Sequence, residues 1–122
     1  MAELTWNELI EFCRQQDGKL MMMTKELYIV FSEPTNGLAP IMENIDEHLA
    51  YQTKLHNDGV MFAAGPVAGG GGSEYLGDGV FVYHADSLEQ AVQIAESDPM
   101  HIAGARRFRV LPWLLNEGDL RV

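Results

Sequence analysis

Residues 80–99 read VFVYHADSLEQAVQIAESDP, and this stretch decides the fold. Residues 80–83 are all apolar or aromatic, and such a run before His84 is typical of a core strand. Ser87 and Gln90 then form a capping box, and the helix that they begin ends before Pro99. The buried stripe of that helix consists of Leu88, Ala91, Val92 and Ala95. The stretch therefore predicts a core strand followed at once by an amphipathic helix.

The same alternation of strands and helices continues on both sides of this stretch. The predicted elements are strands at 27–31, 60–64 and 107–111 and a long helix from Pro40 to Asp58. Gly65-Pro66 and Pro112-Trp113 are expected to stop the second and fourth strands, and four glycines at 69–72 to form a flexible hairpin connection. The order strand, helix, strand, strand, helix, strand predicts an α+β fold of the ferredoxin-like βαββαβ type. Two helices then cover one face of a four-stranded antiparallel sheet.

Two further predictions concern the long helix and the sheet face opposite to it. The buried stripe of the helix is predicted to contain Ile41, Ile45, Leu49 and Gln52. Strands one to three are apolar on both faces, so the face without helices would expose a large apolar patch unless another sheet covers it. A second copy of the chain is the simplest cover, and we therefore predict a homodimer through the helix-free sheet face.

The N-terminal segment forms an additional helix outside this pattern. Thr5 and Glu8 make a capping box before a helix over residues 5–16, which either extends the dimer interface or caps an open sheet edge. We divide the chain into a helical extension at 1–24, an α+β domain at 25–115 and a polar tail at 116–122. Cys13 lies in an apolar-periodic segment and is interpreted as a packing residue.

Composition and charge exclude several classes of partner. The formal net charge of -10 repels phosphate backbones and anionic lipid surfaces, so we expect neither a nucleic-acid nor a membrane partner. The cations at Arg106, Arg107 and Arg109 are interpreted as one strand face or as partners of carboxylates. A single cysteine permits no intrachain disulfide, and the N-terminus shows no targeting signal, which together predict a cytoplasmic protein.

His48 and Asp98 are the candidate catalytic residues. His48 lies at i+3 from Ile45, at the margin of the buried stripe, and Asp98 is held out of helical geometry by Pro99, so its carboxylate should project from the connection. Two helices that lie side by side over a sheet can bring these side chains together. The carboxylate would fix one imidazole tautomer and leave the other nitrogen free for proton transfer. The plain alternative is that Asp98 only ends a helix.

Candidate substrate-binding residues cluster around the end of the second strand. A glycine at Gly65 lets a ligand approach the backbone before Pro66, although a simple turn explains the pair equally well. Phe62, Tyr83 and Trp113 could form apolar pocket walls for an aromatic or cyclic substrate, or they could be core residues. The histidines lack the spacing of metal ligands on one element, so we predict no metal site.

A set of short motifs resembles the YCII-related domain family across roughly residues 26–114. The motifs are His48-Leu49, Leu55, Gly59, Ala64-Gly65-Pro66, Glu89, Ala91, Asp98-Pro99, Gly104 and Pro112-Trp113. The resemblance implies a dimeric α+β barrel, with His48 and Asp98 as a proposed active-site pair. It also implies small-molecule chemistry without metal or organic cofactor, among relatives that resemble muconolactone isomerases and include a dehydrochlorinase of chlorinated hydroxyquinols.

Two functions remain open from the sequence. The first is a cofactor-free lyase or isomerase, possibly dehydrochlorinase-like, that uses His48 to move a proton and Asp98 to orient it. The second is a non-catalytic module that keeps the same fold and sequesters a small ligand.

Overall fold

The computed structural model describes residues 3–16 and 23–120. Their contacts separate into two compact units. One unit comprises Tyr28–Pro112, and the other combines the described residues up to 27 with those from 113 onward. The two strands that contain these junctions are continuous across them. The contacts of the candidate functional residues His48 and Asp98 lie within the larger unit.

The described residues form four strands and five α-helices. In chain order they are α1 (Trp6–Arg14), β1 (Lys25–Pro34), α2 (Ala39–Glu43), α3 (Ile45–Asn57), β2 (Met61–Pro66), β3 (Gly79–Tyr83), α4 (Leu88–Glu96), α5 (Pro99–Ile102) and β4 (Arg106–Leu115). A short 3-10 turn, Gly70–Gly72, lies between β2 and β3. The tetraglycine connection is ordered in part by a bridge between Gly69 and Glu74.

The strands form one antiparallel sheet in the order β2-β3-β1-β4. Tyr28 pairs with Tyr83 and Val30 with Phe81 across β1 and β3, so these four side chains point to the same face. A bulge at Phe62 shifts the register between β2 and β3. This order, with helices between the first two and the last two strands, confirms the predicted ferredoxin-like βαββαβ fold.

The main core of the larger unit lies between this sheet face and the helices. Val30, Phe81 and Tyr83 from the sheet pack with Leu55 from α3 and Ala95 from α4. These residues are nearly or completely buried. They point inward because side chains return to the same face every two residues in a strand and about every 3.6 residues in a helix. The helices α3 and α4 therefore pack on the apolar face of the sheet.

The prediction of a single long helix over residues 40–58 is wrong, because the chain breaks at Asn44. Asn44 leaves helical geometry at φ -110° and ψ 7°, and its side-chain amide donates to the carbonyl of Pro40 at 2.8 Å. An asparagine that bonds the backbone in this way competes with the helical hydrogen bonds. Leu49, expected in the buried stripe, is 54% exposed.

The two prolines that were expected to end strands behave differently. Pro66 pairs with Gly79 and is the last residue of β2, which confirms the predicted stop. Pro112 lies within β4, which continues through Trp113 to Leu115, so the predicted stop there is wrong. The strand β4 is at an edge of the sheet. An edge strand has one side without ladder bonds, so a residue lacking N–H is tolerated there.

The smaller unit has its own apolar cluster. The capping box of α1 forms as predicted, with the Thr5 hydroxyl accepting from the Glu8 amide at 3.1 Å. Ile10 and Cys13 pack with Leu114. Cys13 is buried, in agreement with its interpretation as a packing residue.

The sheet face without the α3 and α4 helices is only partly apolar in character. Strand alternation places Ile29, Phe31 and Val80 on this face, and each is half-buried. The guanidinium of Arg109 lies over the Phe31 ring at 4.5 Å from its centre. None of the helices in the described part of the chain has the length and apolar character to cross a membrane.

Candidate functional site

His48 and Asp98 form a direct buried pair. The His48 Nδ1 lies 2.8 Å and 2.9 Å from the two carboxylate oxygens of Asp98, and the two residues are 5% and 0% exposed. Because a carboxylate only accepts, Nδ1 carries the proton and donates it to Asp98. In the neutral imidazole, Nε2 then has a free lone pair. The predicted meeting of these residues occurs, within one unit of the structure.

Asp98 is held by the backbone of the next helix. It lies at φ -67° and ψ 126°, outside helical geometry as predicted, and its Oδ1 accepts from the amide of Met100 at 2.9 Å. Pro99 occupies the first helical position of α5, where a missing N–H has no cost. Asp98 is therefore the N-cap of α5, a helix that was not predicted. That cap fixes the carboxylate in its place beside His48.

His48 lines an open cavity of about 750 Å³ in the larger unit. The walls come from α3, β2, the connection from β2 to β3, β3 and the start of β4. Apolar side chains that line it include Ile45, Met61 and Phe81, and the Phe81 ring lies 5.5 Å from the His48 ring. The cavity therefore offers a largely apolar surface with the His48 imidazole at one wall.

The candidate substrate-binding residues lie at different distances from this cavity. Gly65 and Pro66 line it, and no atom within 4 Å opposes a Cβ added at Gly65. Phe62 does not belong to its lining, and its ring makes an edge contact with His84. Trp113 lies in β4 within the smaller unit.

Tyr83 lies in the core and does not line the cavity. The side chain is fully buried, and its hydroxyl has no hydrogen-bond partner within the described residues. Burial, with the nearby Asp98 charge, raises the pKa of the Tyr83 hydroxyl far above its usual value. The Tyr83 ring packs against Phe81.

Arg106 is a cavity residue that sequence reasoning missed. It is 5% exposed, and its Nε donates to the carbonyl of Gly77 at 2.7 Å. The other two arginines of the cluster behave as predicted: Arg107 pairs with Glu33 at 2.7 Å, and Arg109 covers an aromatic ring. The signal was present in the strand period, because Arg106 shares its face of β4 with the apolar Phe108.

A second histidine in the same unit has a different environment. His101 Nδ1 lies 2.7 Å from the Ala95 carbonyl, and its Nε2 lies 2.7 Å from the Ser32 hydroxyl. The carbonyl only accepts, so Nδ1 carries the proton and Nε2 accepts from Ser32. Burial lowers the pKa of His101, although the Ala95 carbonyl opposes that shift. His101 is therefore a half-buried residue whose two ring nitrogens are both hydrogen-bonded.

The other two histidines, His56 and His84, are exposed. Within residues 3–16 and 23–120, no three His, Cys, Asp or Glu side chains come together as a group that could hold a metal ion.

Comparison with known proteins agrees with this fold. The YCII-related domain family matches residues 26–114, as the sequence motifs predicted. A solved structure of 5-chloro-2-hydroxyhydroquinone dehydrochlorinase from Burkholderia phenoliruptrix AC1100, in complex with 2,5-dihydroxybenzoquinone, is similar in fold, with a TM-score of 0.57 and 20% sequence identity. The similarity covers 71% of this chain and 92% of that one. No curated protein matches the chain significantly.

Proposed function

This chain belongs to the YCII-related domain family, and we propose that it is a cofactor-independent lyase or isomerase acting on a small cyclic or aromatic molecule. The observation that carries the proposal is the buried His48–Asp98 pair at the wall of an apolar cavity. A charged or titratable pair taken out of water, with one side open to a ligand-sized cavity, is the arrangement expected of a general acid/base.

The proposed chemistry is proton transfer through His48 Nε2. In the neutral imidazole this nitrogen accepts a proton from the substrate, and the resulting imidazolium is stabilised by Asp98, which is itself fixed by the Met100 amide. An elimination then releases a leaving anion, whereas an isomerisation returns the proton to another atom of the substrate. Both reactions balance without an oxidant, a reductant or a metal.

The substrate-binding part of the proposal places the ring of the substrate against the apolar wall. Gly65 and Pro66 border the cavity, and Phe81 provides an aromatic surface beside His48. Phe62 and Tyr83 do not line the cavity, so the proposed substrate contacts are those of Gly65, Pro66 and Phe81. We also propose a cytoplasmic location, on the single buried cysteine and the acidic composition.

The proposal is tested with 5-chloro-2-hydroxyhydroquinone, the substrate named for the structural neighbour, and with unchlorinated cyclic lactones as isomerisation candidates. Chloride release and ring absorbance report elimination, and NMR of the mixture reports isomerisation. The assignment is supported if the wild-type protein shows turnover and both His48→Ala and Asp98→Asn lose it while their circular dichroism spectra stay unchanged. Turnover that survives in either variant refutes it.

A matched control separates the pair from a general effect of losing a histidine. His56 is exposed on the same helix, α3, so His56→Ala should retain full turnover. Saturable binding of 2,5-dihydroxybenzoquinone without turnover of any tested compound would instead favour a ligand-sequestering module on the same fold.

We also propose that the chain is a homodimer through the helix-free sheet face. The support is a face with half-buried Ile29, Phe31 and Val80, along which a groove of about 530 Å³ is partly lined by Phe31 and Val80. Sedimentation velocity should give a dimer for the wild-type protein and a monomer for Phe31→Glu, because an unpaired carboxylate in a packed interface is costly. A wild-type monomer would refute this part alone.

A further inference from the structure

The wall of the cavity contains one buried cation whose charge no carboxylate balances. Arg106 is the only lysine or arginine among the lining residues, and no described carboxylate lies within ion-pair distance of it. Glu74 also lines the cavity, but its carboxylate lies over Gly70. Removing a guanidinium from water is costly unless its donors find acceptors, so this unbalanced charge needs an explanation.

The hydrogen bonds of Arg106 leave part of the guanidinium unused. Nε donates to the Gly77 carbonyl at 2.7 Å, and Nη2 donates to the Tyr75 hydroxyl at 3.1 Å. Nη1 is buried and has no partner within the described residues. Its two N–H groups are therefore unsatisfied, and a group of this kind beside a cavity has a strong preference for an anionic oxygen.

The surroundings hold the guanidinium in place without neutralising it. Its central carbon lies 6.0 Å from the centre of the Phe81 ring, the same ring that His48 contacts. The Tyr75 side chain, which lines the cavity and is 40% exposed, can rotate away to free Nη2 at low cost. A ligand oxygen that takes the place of Tyr75 could then accept from Nη2 and, once the atoms that cover it shift, from the buried Nη1 in the bidentate geometry that arginine favours.

We infer that the cavity binds its substrate as an anion, with an ionised oxygen (phenolate, enolate or carboxylate) held by Arg106 while His48 acts on another atom of the same molecule. This inference rests on the proposed function and adds to it the charge of the substrate and the residue that selects it. Arg106 is then a specificity-determining residue of the site. It also places a positive charge at the wall of the cavity, inside a protein whose net charge is -10.

The experiment compares an anionic probe with a neutral one of similar shape. The probes are 2,5-dihydroxybenzoquinone, an acidic quinone that is ionised at neutral pH, and 2,5-dimethoxybenzoquinone, which is neutral. Calorimetric titration of the wild-type protein should show at least about tenfold tighter binding of the anion, as expected for a charge-assisted hydrogen bond. Equal affinities, or no saturable binding of the anion at millimolar concentration, would overturn the inference.

Variants at neighbouring arginines provide a matched pair. Arg106→Gln should reduce the preference for the anion by about tenfold or more. Arg107→Gln removes the same charge one residue away, from an exposed ion pair, and should leave the preference unchanged. A preference that survives in Arg106→Gln, or is lost equally in both variants, contradicts a role for Arg106.

A measurement on the wild-type protein covers the case in which Arg106→Gln does not fold. The Nε–Hε resonance of Arg106 should shift on addition of the dihydroxyquinone and not on addition of the dimethoxyquinone. An equal response to both probes would overturn the inference. The His48→Ala variant should lose turnover but keep the preference for the anion. If the wild-type protein prefers the anion but turns over none of the tested compounds, the proposed enzymatic function is refuted and the anion site is retained.

Discussion

Two histidines of the larger unit, the buried His48 and the half-buried His101, lie near the same aromatic ring and have opposite properties. The Phe81 ring centre is 5.5 Å from that of His48 and 6.3 Å from that of His101. His48 donates to a carboxylate and lines the cavity, whereas His101 donates to the Ala95 carbonyl and accepts from Ser32. Both ring nitrogens of His101 have a hydrogen-bond partner, whereas within the described residues only Nδ1 of His48 has one.

The difference shows that the partners of a buried histidine decide its use. A carboxylate can stabilise a positive charge that forms on the ring, so His48 can take a proton during a reaction. A carbonyl and a hydroxyl satisfy the neutral ring and provide no compensating negative charge, so His101 is a stable part of the core.

The largest expected effect concerns turnover. If the two histidines differ in this way, His48→Gln lowers kcat by about 10²–10⁴-fold, the usual contribution of a general acid/base. His101→Gln should change kcat by less than about threefold, because its ring nitrogens are both bonded within the core. Steady-state kinetics on a substrate that the wild-type protein turns over checks both, and a larger loss in His101→Gln would reverse the assignment.

A second effect concerns the stability that Asp98 provides. Asp98→Ala removes the cap of α5 and leaves a buried imidazole without its acceptor, so the free energy of unfolding should fall by about 3 kcal/mol. Asp98→Asn keeps an oxygen for the Met100 amide and should cost less. Urea unfolding monitored by circular dichroism measures the two values. Equal losses in both variants would mean that the cap contributes nothing.

A smaller effect is expected at the partner of the other histidine. Ser32→Ala leaves Nε2 of His101 without a donor and should lower the free energy of unfolding by about 1 kcal/mol. It should leave kcat unchanged, in contrast with the Asp98 variants. A drop in kcat comparable to that of Asp98→Asn would show that the two histidine sites are coupled.

The smallest effect is a pH dependence of stability. The pKa of His101 is lowered in the folded protein, mainly by burial, while Asp98, His48 and Arg106 are its charged or titratable neighbours. The unfolded state therefore binds more protons below the ordinary histidine pKa of about 6.5. The stability contributed by neutral His101 is complete above that pH and is lost as the pH falls below it, through the lower pKa of the folded state.

The measurement is the free energy of unfolding at about pH 7.5 and about pH 5.5, on either side of the ordinary histidine pKa. The loss on acidification should be smaller in His101→Gln than in the wild-type protein, whereas His56→Gln, a change at an exposed site, should behave like the wild type. An unchanged pH dependence in His101→Gln would mean that the ring is not neutral in the fold.

The order of elements was predictable because it depends on local periodicity. The apolar runs at 27–31 and 80–84, and the caps at Thr5 and Ser87, determine their strands and helices without reference to distant residues. The continuation of β4 past Pro112 was not predictable, since a proline is tolerated inside a strand only where that strand is an edge. Edge position is a property of the assembled sheet.

The candidate site was predictable only in part. His48 and Asp98 were found from helix position and from the family motifs, but the N-cap of α5 that holds Asp98 was not expected. Arg106 was predicted to share the environment of Arg107 and Arg109, although its register in the strand places it on the same face as Phe108. Register was the better guide, as side chains two apart in a strand share a face.

The sequence by itself determined the family, the βαββαβ order, and the identity of one histidine and one aspartate that could act together, because periodicity, caps and short motifs are local properties. Only the tertiary structure decided which histidine donates to a carboxylate and that an arginine with an unsatisfied nitrogen lines the cavity. Those facts depend on contacts between residues far apart in the chain, such as His48 with Asp98, 50 positions later, and the chain sets these only when its sheet and helices pack.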